Sequence, residues 1–425
     1  MDEQFNLKEY CLNVAERAKN ASRVLAAVSA ASKNNWMTLC ADLLLQRQDE
    51  ILAANRLDLD AARAAGLSSA MIDRLTLSEK TLREMGVALR EIAAFPEPIG
   101  SVISSNVRPG GFQVQKVRAP IGVVFFTYES RPNVTTDAAA ICIKSGNAVI
   151  LRGGKEAFHS NQALGKILAD AALQTGLPAD AVQLLQTTDR NAIDEFLQMP
   201  QFIDVAIPRG GYALIKRVSE MAKMPVIKHF AGNCHVYVDK SANLELAVKV
   251  LLNSKCQRLG TCNTAESLIV HREIAETALP KLLGALIEQG VEIRADQITR
   301  DIVKGKFDLT PATEEDYYAE FLAKIISVKV VDSVENAIDD INKYSSGHTE
   351  AIIAQDINAI NAFVASVDSA AVMVNSSTRL HDGGQFGLGA EIGISTDKFH
   401  ARGPCGVYEL TSYKYVVYSD GAIRQ

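Results

Sequence analysis

From Pro120 onward, short apolar and β-branched runs alternate with stretches of helical period: IGVVFFT, NAVILR, AVQLL, FIDVAI, CHVYV, ESLIV, IISVKVV, EAIIA and AAVMVN. Such alternation constrains a chain strongly, because strands that are apolar on both faces must be buried between crossover helices in a parallel sheet. The expected class is therefore α/β, with two such series meeting at a Gly-containing turn near Phe230–Asn233. Ahead of them, residues 9–94 carry apolar positions spaced three and four apart, as in ASRVLAAVSAASKNNWMTLCADLLLQRQDEILAAN, which predicts a helical lead-in. FPEPIG breaks that pattern, and SVISSNVRPGGFQVQKVRAP reads as a hairpin turning at Pro109-Gly110-Gly111.

Composition excludes several functions. A chain of 425 residues with 48% hydrophobic and 22% charged content has enough material for two or three cores, and its net charge of −6 offers no basic surplus for a phosphate backbone. No apolar run approaches the roughly 20 residues needed to cross a bilayer, and the start MDEQFNLKEY lacks the basic-then-apolar plan of a secretion signal. A soluble, cytoplasmic protein with neither nucleic-acid nor membrane partners is expected. The seven scattered cysteines include no CxxC or CxxH pair, which argues against disulfides and against a metal site.

Among those cysteines, Cys40 and Cys142 lie within apolar faces. Cys262 instead sits in QRLGTCNTAE, where Asn263-Thr264-Ala265-Glu266 resembles a capping run that would hold the thiol at a helix N-terminus. Composition leaves Cys234 and Cys256 open as alternatives. Three turns place polar groups after strands: Arg131-Pro132-Asn133, Arg152-Gly153-Gly154-Lys155-Glu156, and Arg209-Gly210-Gly211. Open α/β sheets bind ligands at such strand ends, although ordinary βα turns and helix caps would look the same. His229, His235 and His348 read as structural or solvated imidazoles rather than as a catalytic base.

In order along the chain, YESRPNVTTDAAAICIKSGNAVILRGGKEA, IDVAIPRGG, CHVYVD, QRLGTCNTAE, SVKVVDSVENAI, INKYSSGHTEAI, FGLGAEIGISTDKFHARGP and LTSYKYV resemble the aldehyde dehydrogenase superfamily, most closely its γ-glutamyl phosphate reductase branch. The resemblance implies an aldehyde-dehydrogenase-like fold of two parallel-sheet αβ domains with a small β oligomerisation arm. Residues 1–232 would comprise the helical lead-in and nucleotide-binding domain, with 101–119 as an oligomerisation hairpin. Residues 233–403 would form the catalytic domain, and 404–425 an oligomerisation tail.

The resemblance also implies Cys262 as nucleophile and Asn133 at the oxyanion. The Arg152–Glu156 stretch would lie along the nicotinamide nucleotide; Arg209, Gly210 and Gly211 are nominated beside it because glycines at a helix start let backbone donors approach a phosphate, a helix cap being the alternative. Glu320, read as a carboxylate on a surface helix, would contact the nicotinamide ribose. Lys155 stands where NAD-preferring relatives often carry an acid, so NADPH is expected. Arg258 and Arg379 are nominated for the substrate phosphate and carboxylate because a guanidinium pairs two oxygens at once, and His348 is placed with them. Departures from the branch pattern are Leu259 for proline, Asp340 for histidine and Ser345 for glycine. Hydrolytic relatives carry a glutamate base on the segment before the nucleophile, whereas residues 221–238 contain no carboxylate. The expected reaction is reduction of γ-glutamyl phosphate to glutamate 5-semialdehyde in proline biosynthesis, by a homo-oligomer fed by a separate glutamate kinase.

Overall fold

The computed structural model describes residues 6–388 and 390–424. They form two compact units, one of Met1–Lys228, Gly387–Gly393 and Cys405–Gln425, the other of His229–Phe386 and Ile394–Pro404. The crossing from first to second falls just before the expected turn, and the C-terminal segment returns to the first unit.

The first unit opens with five helices, Leu7–Leu25, Ala30–Gln46, Gln48–Ala64, Ser69–Leu75 and Glu79–Ala94. Four begin at a polar cap: Asn6, Ser29, Ser68 and Ser78 each accept a backbone N–H of the first turn, satisfying a donor that has no intrahelical partner. Glu79–Ala94 buries Leu82, Met85, Leu89, Ile92 and Ala93 as one stripe, the spacing read from sequence. Behind these helices lies a four-stranded parallel sheet in the order Val182–Leu184, Ala148–Arg152, Val123–Tyr128, Val205–Arg209. Val123–Tyr128 is buried along its whole length, as a central parallel strand must be. Its neighbours in space are the next strand in sequence on one side and the last on the other. The chain thus reverses its winding direction beside Val123–Tyr128, which makes the carboxyl end of that strand the topological switch point.

The predicted hairpin is present as Val102–Val107 paired antiparallel with Gln113–Pro120. Thr411–Tyr418 joins it as a third strand, in register from Thr411 opposite Pro120 to Tyr418 opposite Gln113.

In the second unit, seven parallel strands stand in the order Thr310–Pro311, Glu292–Ala295, Ile325–Val331, Ala265–His271, Cys234–Val238, Thr349–Ile353, Ala371–Val374. Core clusters cover both faces, one around Leu268, Leu279 and Val328, the other around Tyr237, Ile341 and Phe363. Cys234–Val238 and Ala265–His271 lie side by side near the middle, with Cys234 opposite Ala265. Every strand named from sequence is present. Glu292–Ala295 and Thr310–Pro311 were not foreseen: they sit at the polar edge of the sheet, where proline is tolerated and the apolar run that marks a central strand is absent. Among the described residues, no helix is long and apolar enough to cross a membrane.

Candidate active site

Cys262 lies in a turn between the helix Leu244–Cys256 and the strand Ala265–His271, and not at a helix N-terminus as its flanking residues suggested. The cap-like Asn263-Thr264-Ala265-Glu266 run leads into a strand because Ala265 pairs with Cys234, and sheet pairing overrides the local helix signal. Backbone and side-chain bonds lock the turn. Thr264 donates its N–H to Thr261 O (3.0 Å) and its hydroxyl to Arg258 O (2.7 Å), and the Thr261 and Thr264 hydroxyls lie 2.9 Å apart. Asn263 Nδ2 donates to His381 O at 3.0 Å, and Arg379 holds Asn263 Oδ1 and, at 2.9 Å, Gln257 Oε1. The base of the turn is stapled by an ion pair with no solvent exposure, Lys255 Nζ to Glu266 Oε2 at 2.5 Å, and the second Glu266 oxygen accepts the Leu322 N–H at 3.2 Å. Burial pushes Glu266 up and Lys255 down, so each ion depends on the other for its charge.

The thiol is half-buried, and four residues from other segments converge on this turn. Cys234, fully buried, donates Sγ–H to Cys262 O at 3.2 Å. Gly232 runs so close that an added Cβ would strike the Cys262 carbonyl, while its own N–H donates to Glu320 Oε1 at 2.8 Å. The His229 and His348 side chains each bring a ring nitrogen within 4.8 Å of the thiol and of each other. Neither histidine had been connected with the thiol from sequence. His348 is also within 2.6 Å of Thr349 Oγ1, which in turn lies 2.7 Å from His381 Nδ1. Burial drives His381 down to about 3, keeping it neutral.

Of the nominated substrate ligands, Arg379 is half-buried beside the turn and Arg258 lies exposed within it. Burial and the like charge of Arg258 lower the pKa of Arg379, while Cys262 raises it. Glu320 is not on a helix: it follows the helix Glu314–Tyr318 in an irregular loop, half-buried against Gly232, and burial raises its pKa. Two of the three departures from the branch pattern have local partners. Asp340 pairs with Lys329, and Ser345, at φ −64°, donates to Glu350 and accepts the Gly347 N–H at 2.8 Å.

In the first unit, the switch point gathers the remaining candidates. Arg152 ends one flanking strand opposite Thr127, and Arg209 ends the other opposite Tyr128. Between them, Glu129 accepts the Gly211 N–H at 2.9 Å, and Glu156 accepts from Ser130 N–H and Oγ–H at 2.7 and 2.8 Å. Ser130 has a φ of 48°, strain that these bonds hold in place. Arg152 donates Nη2 to Thr188 O at 3.0 Å, while its buried Nε has no partner among the described residues. Lys155 is exposed.

Asn133 starts the helix Val134–Lys144 and donates Nδ2 to Asp137 Oδ2 at 3.2 Å, so Asp137 orients the amide, a role invisible in sequence. Burial raises Asp137 from 3.8 to about 6. A raised carboxyl favours the fold only while protonated. Its contribution is therefore complete below pH 4 and lost as pH climbs through about 6, at most about 3 kcal/mol at ~1.4 kcal/mol per unit. Asp137→Asn should flatten the stability profile between pH 4 and 6 in denaturant titrations; an unchanged profile would exclude Asp137 as its source.

The aldehyde dehydrogenase family model matches residues 8–299, and the chain belongs to that family. Among the curated relatives, the γ-glutamyl phosphate reductase of Rhodopirellula baltica is 55% identical over 99% of this chain and 96% of its own. That of Moorella thermoacetica is 49% identical over 96% and 97%. A crystal structure of γ-glutamyl phosphate reductase from Thermotoga maritima, 44% identical, covers 98% of this chain and 100% of its own with a TM-score of 0.96. The chain is a member of the γ-glutamyl phosphate reductase branch of the family.

Proposed function

We propose that this protein reduces γ-glutamyl phosphate to glutamate 5-semialdehyde with NADPH, through a thioester on Cys262. The observation that carries the reading is a half-buried thiol in a locked turn, lined by imidazoles and a guanidinium and preceded by a segment without a carboxylate. The Cys262 thiolate attacks the acyl carbon, and the bond from that carbon to the phosphate oxygen breaks. Arg379 and Arg258 take the charge of the substrate phosphate and carboxylate. The Asn133 amide, steadied by Asp137, and a backbone N–H of the Cys262 turn take the developing oxyanion.

A nicotinamide dinucleotide fits the first unit on two counts: the strand ends at a topological switch point, and Arg152 has a buried, unpartnered Nε there to meet an anion. Arg152, Gly153, Gly154, Lys155, Glu156, Arg209, Gly210 and Gly211 would hold it, with Glu320 at its ribose. When bound, it supplies the hydride that brings the thioester to the aldehyde level. Exposed Lys155 is free to meet a 2′-phosphate. Wild-type enzyme should therefore favour NADPH, and Lys155→Glu should lower the NADPH-to-NADH ratio of kcat/KM by at least about tenfold, or ~1.4 kcal/mol. An unchanged ratio would remove Lys155 from cofactor selection.

An acyl phosphate is labile and must come from a separate glutamate kinase. The antiparallel arm would serve a homo-oligomer: Val102, Ile103, Val107, Tyr415 and Val417 are exposed on it, an apolar edge that calls for a partner. Purified enzyme supplied with glutamate semialdehyde should reduce NADP only when phosphate is present, and this tests the whole reading.

A further inference from the structure

We propose that His229, Cys262 and His348 form a three-ligand zinc site, and that its occupation switches the enzyme off. One potential ligand atom from each residue lies within 4.8 Å of the other two, close enough for small side-chain adjustments to bring all three onto one ion. Two imidazole nitrogens and a thiolate are a donor set that suits Zn²⁺, and three protein ligands leave a fourth position for water.

The surrounding hydrogen bonds resemble those that orient metal-binding histidines. His229 Nδ1 lies 2.9 Å from Ile394 O, and because a carbonyl can only accept, the ring proton is on Nδ1 and the Nε2 lone pair faces away from that bond. A histidine whose other N–H is fixed on a carbonyl is the usual form of a zinc ligand. For His348, the run of short contacts through Thr349 Oγ1 to His381 Nδ1 allows the matching tautomer. In that arrangement His348 Nδ1–H donates to the hydroxyl, the hydroxyl donates to His381 Nδ1, and the His348 Nε2 carries the ligand lone pair. Cys234 anchors the Cys262 carbonyl and Gly232 lies against it, so the backbone beneath the third ligand is fixed.

Binding converts the Cys262 thiol to a metal thiolate with release of one proton, and no electrons move. The ligation rests on this geometry alone. Only the resulting loss of turnover rests on Cys262 being the nucleophile.

Chelator-treated full-length enzyme titrated with Zn²⁺ should take up one ion per chain, lose turnover, and become resistant to thiol alkylation at Cys262, all reversed by chelator. Co²⁺ in place of Zn²⁺ should give a thiolate-to-metal charge-transfer band, which needs no active enzyme. Cys262→Ser should abolish that band, and Cys256→Ala should leave it intact. His229→Gln, at a half-buried position that spares the core, should weaken Zn²⁺ binding by at least about tenfold, since even outer-shell changes cost ~10–100-fold. A band that survives Cys262→Ser, an affinity indifferent to His229→Gln, or no uptake by wild-type enzyme would overturn the proposal. Zinc uptake with the charge-transfer band but undiminished turnover would uphold the ligation and overturn both the switch and the assignment of the nucleophile.

Discussion

Cys262→Ala should leave turnover at least about 10⁴-fold below wild type, because no neighbouring group can form the covalent intermediate in its place. The rival thiols are unsuited for distinct reasons. Cys234 is fully buried, with burial holding its thiol well above the ordinary range, and it is already engaged with the Cys262 carbonyl. Cys256 closes the helix Leu244–Cys256, and burial raises its pKa also. Cys256→Ala should retain most of the activity. Cys234→Ala should keep the chemistry while costing about 0.5–3 kcal/mol of stability. Steady-state rates beside melting curves separate these outcomes, and an active Cys262→Ala would end the assignment.

Gly232→Ala should have the second-largest effect, although the new methyl touches no substrate. Its Cβ would be driven into the Cys262 backbone carbonyl, and neither side has an easy way to give. The Gly232 N–H is tied to Glu320, and the Cys262 turn is tied through Asn263 to His381 and Arg379. Overpacking of this kind costs about 1–3 kcal/mol, and a shift of about 1 Å in a nucleophile costs on the order of 10²-fold in rate. A folded Gly232→Ala with kcat reduced to that extent, and an altered rate of Cys262 alkylation, is the expected result. Wild-type kinetics in that variant would show that the turn tolerates displacement.

The sequence carried the scaffold well where burial and pattern agree. Parallel strands buried on both faces, such as Val123–Tyr128, announce themselves as unbroken apolar runs, and the lead-in helices carry both an apolar stripe and a polar cap. A short strand near the sheet edge such as Glu292–Ala295 does not, because only its alternate residues Ile293 and Ala295 are buried and no unbroken apolar run results. Cys262 stood out by its polar neighbours, yet its local setting was misread: Thr264 and Glu266 look like cap residues until the sheet claims Ala265. Contacts between distant segments were the least legible. Gly232, His229, Cys234 and His348 reach the Cys262 turn only through the pairing of central strands and the loops at their ends, and Glu320 reaches Gly232 from a loop 88 residues away. No local period encodes such an encounter.

His229 sharpens the test of the reaction itself. An imidazole near the thiol can assist its deprotonation, but it can also activate water against a thioester, the step an acyl-phosphate enzyme must avoid. The direct measurement is oxidation of glutamate semialdehyde by purified enzyme with NADP, with and without inorganic phosphate. The thioester account predicts that NADPH forms only with phosphate, or with arsenate in its place, and that water alone barely releases the acyl group. Rapid phosphate-independent oxidation to free glutamate would contradict it and identify an aldehyde-oxidising enzyme of the same fold.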